Sequence, residues 1–167
     1  MVSRLYVPMD ISQGIRRSGE KEAKKDMEAT GLLLGLYNEA DDFILTSKMY
    51  ELPSMMGHHS LKARLYRKLK IRANFFAIRS VISKARSHVR ELKRMDLTPA
   101  IIYYHTHPEK NTDDVDVWSP GDLRGLSALV CLWYKNGIEV ADLLHTVDTN
   151  EFFALNKNAE SMPVVIF

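Results

Sequence analysis

Hydrophobic positions recur along this chain in two rhythms. Short apolar runs of strand length stand at 5–7, 32–37, 43–51, 99–104, 129–134, 138–146 and 151–155, many of them β-branched or aromatic and bounded by Gly, Pro, Asn or Asp. Residues 38–42 read as the turn of a hairpin between the second and third runs, and 163–167 as either a short edge strand or a frayed end. Lys135-Asn136-Gly137 and Asp148-Thr149-Asn150 read as further turns, the first with an Asn-Gly hairpin signal. The other rhythm is helical. Ile78, Val81, Ile82, Ala85, Val89 and Leu92 predict a helix over 77–95, with Arg79, Lys84, Arg86, Arg90, Lys93 and also His88 on its wet side. A weaker pattern, capped by Asp10 or Ser12 and interrupted by Gly14 and Gly19, predicts a first helix reaching toward Asp26. Ser119-Pro120-Gly121-Asp122 is a helix start, with Ser119 as N-cap, Pro120 at the first helical position and Asp122 in the first turn. Residues 52–60, with Pro53 and Gly57, read as a loop. The mixture predicts an α/β (α+β) fold in which a mixed central sheet is flanked by helices. Neither a repeat nor a linker divides it, so residues 1–167 are read as a single domain.

Composition narrows this picture. An apolar fraction of 46% over 167 residues is enough for one packed core. No apolar run approaches the ~20 residues that span a bilayer, and residues 1–8 read as a strand rather than a secretory signal. The expectation is a soluble, cytoplasmic protein with no membrane partner. The single cysteine, Cys131, lies in an apolar run and is expected to be a buried small hydrophobe. Neither an internal disulfide nor a cysteine-based metal site is available. The net charge is +2, but residues 62–94 hold twelve Lys or Arg against one acid, Glu91. Such a run is the solvated side of a helix, or a surface for an acidic partner or nucleic acid. It lacks the regularly placed aromatics of a single-strand platform, which argues against nucleic acid.

Chemistry concentrates between Tyr103 and Asp122. His105 and His107 fall at or just past the end of the strand begun by Pro99, two residues apart, so both imidazoles point to one face while Thr106 points to the other. Neutral imidazole suits zinc, and a carboxylate from the following helix start, Asp122, can turn toward the pair. Two histidines and one carboxylate leave the fourth position of a tetrahedral zinc open, as catalytic sites do. Asp122 and Ser119 also have a plain reading as capping residues. His58 and His59 are a rival pair, but adjacent residues point apart on an extended backbone. Glu28 stands at the entrance of the strand Leu32 to Tyr37, whose flanking Gly31 and Gly35 permit close approach of a neighbouring backbone.

These residues together resemble the JAMM (MPN-plus, JAB-domain) zinc metalloproteases. That family's pattern is a Glu before a Gly-Leu-Leu-x-Gly strand, then His-x-His-Pro after a later strand, then Ser-x-x-Asp at a helix start. The chain has M-E-A-T-G-L-L-L-G, Y-Y-H-T-H-P and S-P-G-D in that order. The resemblance implies an MPN/JAB-like domain of the small prokaryotic type, one zinc ion on His105, His107 and Asp122, and catalytic roles for Glu28 and Ser119. Glu28 would carry the proton of the attacking water, and Ser119 would hold the oxyanion. The loop from His107 to Ser119 is longer than the family's usual spacing and holds Asp113, Asp114 and Asp116, each an alternative to Asp122. The implied substrate is the isopeptide or peptide bond after the C-terminal tail of a ubiquitin-like protein, cut in deconjugation or precursor processing. That tail would lie along a sheet edge beside the metal. The implied partners are the activating and conjugating enzymes of a ubiquitin-like machinery, including bacterial antiphage systems. Two alternatives stand beside this: a non-catalytic MPN-type interaction scaffold, and a nucleic-acid-binding module using residues 62–94.

Overall fold

The computed structural model describes residues 2–25, 27–53, 61–107, 118 and 120–167, and the side chains of all of these except 61–76. Among the described residues, eight strands form one mixed sheet: β1 (Arg4–Val7), β2 (Thr30–Asn38), β3 (Phe43–Leu52), β4 (Thr98–His107), β5 (Glu139–Thr146), β6 (Glu151–Asn156), β7 (Ser161–Met162) and β8 (Val164–Ile166). The α-helices that accompany it are α1 (Met9–Ala23), α2 (Leu61–Arg94) and α3 (Pro120–Leu132) among the described residues. Among the described residues no helix is long and apolar enough to cross a membrane.

The strand order is β7-β6-β5-β4-β2-β3-β1-β8. Only Pro163 separates β7 from β8, yet these two strands lie at opposite ends of that order. The sheet therefore curls until its two edges meet. Inside the curl, Leu5, Leu33, Ile44, Ile102, Tyr104 and Leu143 pack against Ile11 and Ile15 of α1. On the outer face, Leu32, Leu34 and Ile101 pack against Val81, Ala85 and Val89 of α2. With helices on both faces, the central strands lose the in–out alternation of a half-exposed strand, and every residue of β5 is buried. Each fully buried Leu or Ile contributes about 1.5–3 kcal/mol.

Several expectations hold at this level. β2 and β3 pair antiparallel as a hairpin, and β8 is an edge strand. A side chain at Gly31 would collide with the Tyr104 ring, and one at Gly35 with the Leu45 carbonyl oxygen, so both glycines serve close approach.

Others are corrected. The helix expected over 77–95 begins at Leu61. Its His88 is buried rather than wet, with Nε2 3.2 Å from the Gly35 carbonyl oxygen. His88 stands seven residues after Val81 and three after Ala85, which puts it on the apolar stripe. Helix α1 starts at Met9 behind Pro8 with no side-chain cap, and Ser12 Oγ instead bonds the Met9 carbonyl. The run 129–134 is not a strand. Helix α3 continues through it to Leu132, a short 3₁₀ turn follows at Tyr134–Asn136, and Cys131 is exposed. Lys135-Asn136-Gly137 therefore makes no hairpin, and Gly137 ends the turn in the left-handed region at φ 68°. The reason is topological. β5 runs parallel to β4, and parallel neighbours need a long crossover that a tight turn cannot supply.

Candidate metal centre

Strand β4 carries the two histidines at its C-terminal end. It lies between β2 and β5, antiparallel to one and parallel to the other. Alternation sends Ala100, Ile102 and Tyr104 into the curled core and Tyr103, His105 and His107 to the outer face. Thr106, pointing the other way, accepts a 2.9 Å hydrogen bond from the Ala29 amide through its Oγ1 and donates its own amide to the Ala29 carbonyl at 2.9 Å. This double clasp extends the β2–β4 ladder past Thr30, which pairs with His105. Continued by two residues, the register sets Glu28 opposite His107, on the face that carries both imidazoles. Glu28 is half-buried there.

Asp122, in the first turn of α3, comes down between the two rings. Its Oδ1 is 3.3 Å from His105 Nε2 and its Oδ2 is 3.6 Å from His107 Nε2. One donor atom from each of the three residues lies within 4.8 Å of the others, so the group could hold a metal ion. Donors bound ~2.0–2.1 Å from a tetrahedral zinc lie roughly 3.3–3.4 Å apart, close to the two separations observed. His105 Nε2, the nitrogen that faces Asp122, is buried without a hydrogen bond of good geometry, which fits a donor atom available to an ion. The opening is on the His107 side: its side chain is 21% exposed, against 2% and 5% for His105 and Asp122.

Asp142 was not anticipated. From β5 it places Oδ1 3.3 Å from His105 Nδ1 and is itself buried. A carboxylate behind the second nitrogen of a metal-binding histidine fixes its tautomer and orients its ring. The sequence held a signal for it, a lone acid inside the apolar run Val140-Ala141-Asp142-Leu143-Leu144, where an ionised side chain needs a partner. Tyr103 stacks on His105 with ring centroids 5.7 Å apart, and Trp118 meets the same ring edge-on at 5.8 Å. Burial pushes the Tyr103 phenol up, and the charges of Asp142, Glu28 and Asp122 push it further, so these three carboxylates share one neighbourhood.

Ser119, His58, His59, Asp113, Asp114 and Asp116 lie outside the described residues, as do the side chains of the basic residues 62–72. Among the described residues, the sheet edge expected beside the metal is not found. β4 is bonded to strands on both sides, and the edge strands are β7 and β8.

Charge in the cluster has a definite direction. Burial opposes protonation of His105, but Asp122 and Asp142 outweigh it and raise its pKa from 6.5 to about 10. Burial also pushes the Asp142 carboxyl up, against the pull of His105. Both shifts mean that the folded cluster binds protons more tightly than the unfolded chain does. The His105 contribution to the stability of metal-free protein is complete below pH 6.5 and is lost as the pH rises through about 10. In a chelator-treated sample the melting temperature is expected to fall across that interval; a rise would contradict the charge arrangement. Metal affinity runs the opposite way, weakening on acidification as protons take the donor atoms.

Asp142→Asn keeps the shape and removes the charge. We expect metal affinity to fall ~10–100-fold, the usual cost of losing an outer-shell carboxylate, as read by competition with a chromophoric chelator. Unchanged affinity would reduce Asp142 to a packing residue.

No family model matches the chain, and no curated protein sequence matches it either.

Proposed function

We propose that this chain is a zinc-dependent peptidase that hydrolyses the isopeptide or peptide bond after the C-terminal tail of a ubiquitin-like protein, in a JAMM-type, MPN/JAB-like domain. The observation that carries the reading is the convergence of His105, His107 and Asp122 at one half-open point, with Glu28 two residues before the adjoining strand β2. The three residues would hold the ion, and Asp142 would hold His105 in the tautomer that leaves Nε2 facing it. Zinc bound there supplies Lewis acidity, lowering the pKa of a water toward ~7 and polarising a carbonyl. Its choice over magnesium or calcium rests on the two nitrogen donors.

The chain's own residues divide the rest of the work. Glu28 takes a proton as water adds to the carbonyl carbon, then gives it to the amine as the C–N bond breaks. Ser119 donates its hydroxyl to the oxyanion, a role assigned by the resemblance alone. Trp118 and Tyr103 wall the His105 ring and keep it in place. Because β2 and β5 flank β4 among the described residues, the substrate tail would approach from the open His107 side. Activating and conjugating enzymes of the same machinery are the proposed cellular partners.

Zinc-loaded protein is expected to cleave a fusion placed after the tail of a ubiquitin-like protein encoded near its own gene, and to stop on chelation. Protein that carries stoichiometric zinc and cuts neither linear nor isopeptide-linked fusions would instead support a non-catalytic scaffold.

A further inference from the structure

Away from the metal centre, the outer side of α2 bears a groove of about 810 Å³. Its apolar lining includes Ile78 and Ile82, both half-buried, and Trp133, which stands just beyond the end of α3. Its charged lining is Arg79, Arg86 and Arg90, all exposed. At roughly 100° per residue these three arginines fall within about 40° of one another around the helix, and they span about 16 Å along it. They form one stripe beside an apolar floor. Among the described residues lining the groove there is no acid. Arg86 and Arg90 are four apart, a spacing at which like charges repel and destabilise a helix. A neighbouring hollow continues the stripe with Arg94 and brings in the acid Glu91.

We propose that this groove docks an acidic amphipathic helix of a partner protein. Charge complementarity sets the sign: carboxylates spaced three or four residues apart would face Arg79, Arg86 and Arg90. The floor sets the class. Ile78, Ile82 and Trp133 gain by burial under apolar side chains, which a phosphate backbone does not offer and one face of a helix does. The length of the stripe matches about three helical turns. Arginine and tryptophan are also the residues most often dominant in protein interfaces.

The groove is tied to the candidate metal centre through α3, which begins beside Asp122 and runs toward Trp133. At 1.5 Å per residue, Trp133 stands about 16 Å along this axis from Asp122. The proposal does not depend on the peptidase reading.

The test is selection from a displayed library of random 16-residue peptides on the full-length protein. Wild type is expected to enrich peptides with Asp or Glu at spacings of three or four beside Leu, Ile or Phe. A synthetic copy of the strongest should gain helicity on binding, bind Arg86→Glu and Trp133→Ala at least tenfold more weakly, and retain most of its affinity for Arg86→Lys. Absence of enrichment, a basic or uncharged consensus, or equal binding to folded Arg86→Glu would overturn the proposal. So would a labelled single-stranded oligonucleotide that binds through Arg86 and displaces the peptide, since the surface would then serve nucleic acid.

Discussion

Asp122→Asn protein is expected to purify without bound zinc, its affinity reduced more than the ~100-fold upper cost of losing an outer-shell partner. The carboxylate lies 3.3 Å from one imidazole and 3.6 Å from the other, so it is the member of the group that faces both rings. An amide of the same shape keeps the packing of the first turn of α3 but supplies no charge and turns an NH₂ or a weaker oxygen toward the ion. It also withdraws one of the two carboxylates that hold His105 protonated when the metal is absent. Elemental analysis and chelator competition measure the outcome, and a cooperative melt shows that the domain still folds. Full zinc content in this variant would move the third ligand elsewhere, and Asp113, Asp114 and Asp116 would be next to replace.

Glu28→Gln should separate metal from catalysis. Because Glu28 is not one of the three clustered donors, the variant is expected to keep its zinc. Its turnover of a ubiquitin-like fusion should nevertheless fall ~10²–10⁴-fold, the usual worth of a positioned proton carrier. The physical basis is the register: Thr30 faces His105, the Ala29 amide is clasped by Thr106, and Glu28 is thereby set beside His107. A Gln there keeps the clasp and the volume but cannot take a proton. Turnover near that of wild type would remove Glu28 from the chemistry, and loss of zinc alongside activity would make it a ligand instead.

Much of the candidate site was legible because it depends on short-range periodicity. A spacing of two on a strand fixes that His105 and His107 share a face, and Ser119-Pro120 fixes where a helix begins, hence where Asp122 stands in its first turn. Neither statement needs to know what lies across the sheet. Asp142 was missed for the opposite reason. Its meaning comes from β5 lying in parallel register beside β4, a pairing between residues about forty positions apart. The misreading of 129–134 has the same root. An apolar run of six residues fits a strand or a buried helix equally well, and only the parallel crossover, which requires a helix before β5, settles the choice. His88 is an intermediate case: its place on the Val81–Ala85 stripe was visible, but its polar ring suggested water until the Gly35 carbonyl supplied a partner.

What the sequence by itself determined was the set of candidate donors and the local geometry of each, since backbone periodicity and helix-start chemistry act over a few residues. The tertiary structure alone decided the order of strands, the closing of the sheet at Pro163, the placing of β4 between β2 and β5 and the buried acid behind His105. Those are long-range pairings, and they are selected by how much apolar surface the whole chain can bury at once rather than by any neighbourhood of residues.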